Sequence, residues 1–525
     1  VSQAPARWLV AAGLAATATV LVVVAVLIGA GAGDPSSSAA LPPSANVSAR
    51  GALPVRISAR RRGPDVPSGF LGLSIEFQAI RDYTGSDPHH INPVLVQLIR
   101  NLSPDQAPVL RIGGDSTDMS WVPARGVKAP DYRNYRLTPD WLATTAALAH
   151  QLNARMTLGI NLADDQPALA GSEARAYVRA IGRKAVAALE IGNEPNVYGK
   201  IAGLKVGPKR FRRARPRKYD YARFAKEFGA VAAALPPVPL AGPALAIGPK
   251  SDPGTWIGSI GKLLKAHPQL RTLTVHRYPL RNCYVAPRSP QYPTVPHLLA
   301  GYATTTLAAS LKRWIRIAHS HGRRLRLDEL NSVACRGKAA ISDTFASSLW
   351  VTDALFTLAR AGVDGINMHT LPKAAYELFH FTHTGAGWSA YVQPVYYGLE
   401  LFAQAAPAGA RVLAGSGPVS GTGISVWATR ARNGLEQAVL VNENQKRTAT
   451  VSLHMPAGTA GTAHVTRLMA SSVYARTGVT WGGQGYGTAT TTGRLGALRR
   501  QTLAPRRGAY TLSVPHGSAA LVTFP

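Results

Sequence analysis

The chain has 525 residues, and because single cores rarely outgrow about 250–300 residues, two domains and a non-globular end are expected. Lys and Arg outnumber Asp and Glu by 58 to 27, a formal net charge of +31, and such a field attracts anionic polymers, whether nucleic acid, membrane surface or acidic polysaccharide. No basic-helix, zinc-finger or aromatic-basic signature accompanies the charge, which sets nucleic-acid binding aside, and much of it reads equally as solvated surface.

After Arg7 and Trp8, residues 9–33 carry no charge and are rich in Val, Leu and Ala. A stretch of about 20 such residues crosses a bilayer as a helix, so 1–33 is expected to be an N-terminal hydrophobic helix, either signal-anchor or signal peptide. Ala30-Gly31-Ala32 offers a cleavage site, but the apolar run exceeds the roughly 7–15 residues usual for a cleaved segment, which favours a retained membrane anchor. The expected localisation is extracytoplasmic, membrane-anchored or secreted. Residues 34–52, made largely of Ser, Pro, Ala and Asn, read as a flexible linker, and 53–69 as a strand that joins a later β domain.

From residue 70, short apolar runs alternate with helical patterns. The runs are FLGLSIEF (70–77), VLRIGGDS (109–116), RMTLGINLA (155–163), AALEIGNE (187–194), PLAGPALA (239–246), LTVHRYP (273–279), LRLDELN (325–331) and GINMHT (365–370). Segments such as WLATTAALAHQLN (141–153) and TFASSLWVTDALFTLARAG (344–362) lie between them. Eight strands alternating with helices predict an α/β fold, a (β/α)8 TIM barrel over 70–401. Beyond 402, short strands separated by Gly, Ser, Pro and Thr predict an antiparallel β-sandwich to residue 525. No solenoid repeat is present.

In such a barrel the reactive groups stand at the C-terminal strand ends. Glu194 closes the fourth run and Glu329 the seventh. Either glutamate alone reads as a surface or ion-paired residue. Together, from those two strands, they can face each other across a sugar about 5–5.5 Å apart, one protonating the leaving oxygen and the other attacking the anomeric carbon. Glu194 is the candidate acid/base, because Asn193 before it can hold the hydroxyl beside the reacting carbon. Glu329 is the candidate nucleophile, kept ionised by hydrogen bonds for which His276 and Tyr278 are candidates. Asp115 or Asp118, in RIGGDSTD, lines the site or belongs to a plain glycine turn. Glu76 binds a sugar hydroxyl or sits in a structural salt bridge. Cys283 and Cys335 follow neighbouring strands and form a disulfide or remain free thiols. Eight basic residues crowd into Lys205 to Lys218, either steering an acidic polysaccharide or forming a solvated loop. No metal site and no cofactor is expected.

With GLSIEF, LRIGGDSTDMSW, LEIGNEPNVY, VHRYP, DELNSVACRG followed by SDTFASSLWVTD, and the late β pattern, the chain from about residue 53 onward resembles glycoside hydrolase family 79, the β-glucuronidases and heparanase relatives. The resemblance implies Glu194 as acid/base, Glu329 as nucleophile, and Glu76 at the non-reducing end of the sugar. In that family the uronate carboxylate is held by a Tyr and backbone amides after the nucleophile, where this chain has Ala334 and Arg336. Arg336, or an outward-pointing surface Arg by the alternative reading, is therefore a candidate uronate ligand, with Tyr376 a second. The expected function is retaining hydrolysis of β-linked glucuronic acid residues, by exo-action, with a uronic-acid-containing glycan as partner and the membrane as a second if the N-terminal helix is uncleaved. Two alternatives stand: a retaining glycosidase of the same clan acting on a neutral sugar, and a non-catalytic, membrane-tethered glycan-binding protein.

Overall fold

The computed structural model describes residues 51–248 and 256–525. The N-terminal hydrophobic helix and nearly all of the linker read from the sequence lie outside the described residues; among those described, no helix is long and apolar enough to cross a membrane.

Eight parallel strands close a barrel in chain order: β1 (Leu71–Ile75), β2 (Val109–Ile112), β3 (Arg155–Ile160), β4 (Val186–Ile191), β5 (Leu240–Ala246), β6 (Leu270–His276), β7 (Arg324–Leu330) and β8 (Gly365–Thr370). These are the eight apolar runs of the sequence. Strands buried on both faces read as continuous apolar stretches, and every residue of β1 and β8 is buried. The ring closes through Ile366 against Leu71.

The helices between the strands carry their own stop and start signals. In Pro139–Leu152 the Thr138 hydroxyl accepts the Trp141 N–H at 3.2 Å, Pro139 opens the first turn, and Asn153 ends the helix in the left-handed conformation. Helix Phe345–Ala361 is buried from Phe345 to Ala359. Such a helix, apolar all round, needs cover on every side, and the β domain supplies part of it. Trp427 stacks on Phe356 at 5.5 Å between ring centroids and donates from Nε1 to the Asp353 carboxylate at 2.7 Å.

The last barrel helix runs to Ala405 and the sandwich strands begin at Arg411. The larger sheet runs in the order Ser58–Arg61, Arg411–Ala414, Ile424–Arg430, Glu436–Asn442, Ser518–Thr523, Ala463–Met469, Thr480–Trp481. The smaller sheet contains Leu53–Arg56, Ala449–His454 and Tyr510–Val514. The first strand pairs parallel with Ala449–His454, Leu53 opposite Val451, so the chain passes through the sandwich before it enters the barrel. Val55, Leu413, Val426, Leu440, Leu453, Val465, Leu512 and Val522 fill the sandwich core.

Candidate active site

The turn after β4 presents Glu194. Gly192, at φ +78°, lies so close to Leu162 and Tyr198 that a Cβ would stand 3.0 Å from each. Glu194 itself adopts φ +52°, a conformation uncommon for a residue with a side chain and one that gathers at functional sites. Its N–H donates to the Ala244 carbonyl at 2.9 Å, and Pro195 opens the short helix Pro195–Val197. The side chain stays 27% exposed. Opposite it, β6 and β7 slip register between Val275 and His276, pairing His276 with Glu329; such irregularities re-aim side chains beside sites. One oxygen of Glu194, one of Glu329 and a His276 ring nitrogen all lie within 4.8 Å of one another. In glycoside hydrolases, carboxyl groups that attack the anomeric carbon directly stand about 5–5.5 Å apart, and pairs that activate a water about 6.5–9.5 Å.

Arg111, on β2 and 0% exposed, holds the floor together. Its Nε reaches Glu190 at 2.6 Å and Asp328 at 3.3 Å. One terminal nitrogen donates to Ser74 Oγ at 3.1 Å and Glu329 at 3.0 Å, the other to Asn193 Oδ1 at 3.0 Å. Tyr278 donates its hydroxyl to the other oxygen of Glu329 at 2.8 Å. Burial works against the Glu329 charge, but the positive fields of His369, His276 and Arg111 and the Tyr278 hydrogen bond outweigh it and hold the carboxyl well below its usual range. His276 divides its bonds otherwise than the sequence suggested: Nδ1 meets Glu194 at 3.0 Å and stands 3.6 Å from Glu329. Burial opposes its positive charge, yet Glu329, Asp328 and Glu194 raise its pKa well above the ordinary value.

Asn193 is oriented by Arg111 and turns its amide nitrogen toward Asp115 at 3.4 Å. Asp115 is open to the cavity but walled by protein; the resulting desolvation, then the charges of Glu76, Glu194 and Glu329, push its pKa well up. Asp118 borders the cavity and is engaged as a latch. It accepts from Tyr198 at 2.5 Å and from the Asn193, Leu162 and Ala163 N–H groups at 3.3 Å. Burial raises its pKa to about 6 against those hydrogen bonds. Glu76, at the end of β1, accepts from the Asp115 N–H at 3.0 Å, the Ser116 N–H at 2.8 Å and the Ser116 hydroxyl. Gly114, at φ +92°, is pressed against that carboxylate. Gly114→Ala is expected to displace Glu76 and cost on the order of 10²-fold in kcat/KM, as misplacements of about 1 Å do; steady-state kinetics on the folded variant measure it.

These groups open on a cavity of about 590 Å³, with Tyr278, His369 and Tyr376 among its lining residues. Tyr376 is buried, 6.3 Å from the Tyr278 ring and 5.7 Å from that of His369. Arg336 borders the cavity at φ +69° and donates to the Pro372 carbonyl at 3.3 Å, with its side chain exposed. Cys283 and Cys335 are joined in a disulfide, their Cα atoms 6.1 Å apart, just beyond the paired segments Leu280–Arg281 and Val333–Ala334. The basic run forms a small hairpin, Leu204–Lys205 against Phe211–Arg212. Within it Arg215 is buried and structural, 3.0 Å from Glu227, while Lys209, Arg210, Arg217 and Lys218 are exposed.

Sequence reading missed Arg111, Glu190, Asp328, His369 and Arg281. A charged residue inside an apolar strand run was the available signal for the first three. Glu194, His276 and Glu329, each offering one ligand atom within 4.8 Å of the others, form a group that could hold a metal ion.

Residues 426–521 match the glycosyl hydrolase family 79 C-terminal beta domain. No curated protein matches the chain. In shape the chain is similar to a 4-O-α-L-rhamnosyl-β-D-glucuronidase from Fusarium oxysporum 12S, solved with Rha-GlcA, at TM-score 0.69 and 18% identity over 89% of this chain and 100% of that one. It is also similar to a GH51 arabinofuranosidase from Xanthomonas axonopodis pv. citri (TM-score 0.61, 14% identity, 90% and 100% covered). An α-L-arabinofuranosidase from Thermotoga maritima follows (TM-score 0.59, 15% identity, 90% and 99% covered). At such identities the likeness shows the fold. The class these findings define is a glycoside hydrolase. The family 79 match falls on the late β pattern of the resemblance, and the barrel motifs lie outside the matched residues.

Proposed function

We propose that the chain is a retaining glycoside hydrolase that removes β-linked glucuronic acid residues, with Glu329 as nucleophile and Glu194 as acid/base. The observation that carries the reading is the approach of the two carboxylates to within 4.8 Å across a shared histidine. Glu329 attacks the anomeric carbon while Glu194 gives its proton to the departing oxygen. Glu194 then takes a proton from water, which attacks the same carbon and frees Glu329. Asn193, held by Arg111, faces the position of the hydroxyl beside the reacting carbon. A cavity of about 590 Å³ lies within the usual range for small-ligand sites, roughly 300–1,000 Å³, and this supports exo-action on one terminal residue.

Arg336 and Tyr376 are the proposed uronate ligands. Arg336 borders the cavity from a loop anchored by the disulfide, and its guanidinium can grip a carboxylate bidentately in place of a phenol. Arg336→Ala is expected to lower the preference for β-glucuronide over β-glucoside at least tenfold, a loss of about 1.4 kcal/mol in discrimination; an unchanged ratio of kcat/KM values would remove Arg336 from the site. Extracytoplasmic placement, membrane-anchored or secreted, is part of the proposal and is supported by the disulfide and by the apolar sequence of residues 9–33.

The decisive assay compares hydrolysis of p-nitrophenyl β-glucuronide, β-glucoside and β-xyloside, with Glu329→Gln as control. Preferred turnover of the glucuronide, lost in the control, is the expected result. Preferred turnover of a neutral sugar would move the assignment to another glycosidase of the clan. No turnover of any, together with retained glycan binding, would make the protein a binder.

A further inference from the structure

The cavity has two unlike halves. Around the barrel β8, β1 and β2 are consecutive, and β4, β5 and β6 face them. From the first arc come Glu76, Asp115, His369 and Tyr376, polar groups suited to the hydroxyls of a sugar. From the second, beyond Asn193, Glu194, His276 and Tyr278, come Ile201, Leu204 and Ala214 after β4, Ile247 after β5 and Tyr284 after β6. Leu204 is buried, Ile201, Ala214 and Ile247 are half-buried, and Tyr284 is 56% exposed. Apart from the catalytic groups, Arg281 is the one charged side chain that this arc brings to the cavity among the described residues, and the arc brings no further amide or aliphatic hydroxyl.

We propose that this second half is an aglycone subsite, and that it takes an uncharged apolar group, an alicyclic or aromatic alcohol, as the partner of the sugar in the bond that is cut. The inference rests on the assignment of Glu194 as acid/base made above and deepens it by naming the class of leaving group.

The position of the leaving group follows from the chemistry. The departing oxygen receives the Glu194 proton, so the group it carries lies on the side from which Glu194 comes, and that side is the apolar arc. Its character follows from the walls. A sugar or a carboxylate would shed water against aliphatic side chains that return no hydrogen bond, a cost that an apolar group does not bear. An apolar ring instead gains there from burial. Tyr284 adds a flat surface. It stands at φ +54° directly after Cys283, whose bond to Cys335 ties the backbone beneath the ring to the loop after β7. The basic hairpin after β4 points the same way. It gives Leu204 to the cavity and, just past its second strand, Ala214, while none of the eight cations between Lys205 and Lys218 borders the cavity. An acidic polymer therefore finds no cationic track on this side among the described residues. Arg281 lies so near Gly248 that a Cβ there would stand 2.5 Å from its guanidinium. It is a single charge among apolar walls, and it makes an acidic aglycone the competitor to be tested.

The test compares kcat/KM of the wild type on three β-glucuronides whose departing groups are all primary alcohols of similar acidity: the cyclohexylmethyl glycoside, its ring-carboxylated derivative, and the glycoside of the galactose primary hydroxyl. Differences among them then report the aglycone and not the ease of breaking the bond. The cyclohexylmethyl glycoside is expected to lead both others by about tenfold or more. That lead is expected to shrink by about threefold or more in Tyr284→Ala and in Ile201→Asn. Tyr284 is exposed and Ile201 half-buried, so neither change empties the core. A lead for the carboxylated glycoside would assign the arc to acidic aglycones, and a lead for the galactoside to glycans. Either result overturns the proposal, as does a lead that both variants leave unchanged. If the wild type turns over a different sugar, the same three groups are compared on that sugar. Should it cleave no β-glycoside, the hydrolytic reading fails, and saturation-transfer NMR with free cyclohexylmethanol and galactose decides the subsite. Binding of the alcohol alone, weakened in Tyr284→Ala, supports it, and any other pattern overturns it.

Discussion

Glu329→Gln is expected to lower kcat/KM for an aryl β-glucuronide by about 10⁴-fold or more, the scale on which loss of a covalent nucleophile is felt. The amide keeps the size of the carboxylate and can still meet Arg111 and Tyr278, which lie 3.0 and 2.8 Å away, so the fold is expected to survive and the loss to be chemical. Glu194→Ala separates the two roles. It is expected to slow substrates with poor leaving groups far more than those with good ones, because only the former need a proton at the departing oxygen. Added azide, which needs no general base, is expected to restore turnover in Glu194→Ala and to yield the β-glycosyl azide. An α product would refute retention, and no rescue would take the acid/base role from Glu194. The depressed pKa of Glu329 fixes the sign of a pH effect: the carboxylate persists as pH falls through its unfolded value of about 4.3, so nucleophile protonation sets no acid limb there.

Arg111→Met is expected to destabilise the protein by about 3–5 kcal/mol, measured by chemical unfolding, and to abolish activity with it. A single guanidinium answers Glu190, Asp328 and Glu329 at once and fixes Asn193 and Ser74 as well. Removing it leaves buried carboxylates without a counter-charge, the costliest way to break such a network. Arg111→Lys is expected to recover little, because one ammonium cannot reproduce a fork whose Nε and two terminal nitrogens point at different partners. A loss under about 1 kcal/mol would mean that water takes over the counter-charge role and that the floor is not dry.

The barrel was legible because each of its strands is an apolar run that ends in a polar turn, and burial on both faces leaves no other reading for such a sequence. Glu194 and Glu329 were legible for a related reason: a carboxylate at the end of an apolar strand stands out. Arg111, Glu190 and Asp328 left a signal, a charge inside an apolar run, but not its meaning. Each lies within an apolar strand, and only the closed ring brings β2, β4 and β7 together so that their charges cancel. Asp118 drew attention as a substrate contact, yet its partners Tyr198, Leu162 and Asn193 come from other loops, and no local pattern announces such a latch. The role of Arg215 was masked by its basic neighbours, since seven similar charges around it suggest solvent and only the fold places Glu227 beside it.

The parallel pairing of Leu53–Arg56 with Ala449–His454 also sets an order of assembly. A ribosome makes the first of these strands roughly 400 residues before its partner, an interval of about 20–80 s at ~5–20 residues per second. The barrel's last strand, Gly365–Thr370, is made well before then, and Ser518–Thr523, which sits between Glu436–Asn442 and Ala463–Met469, is made after both of its neighbours. The sandwich is therefore the clasp that closes last. Until it does, the apolar flank of helix Phe345–Ala361 lies bare to chaperones and proteases, and a chain broken off before Ser518 would carry a finished catalytic floor that cellular quality control has reason to destroy.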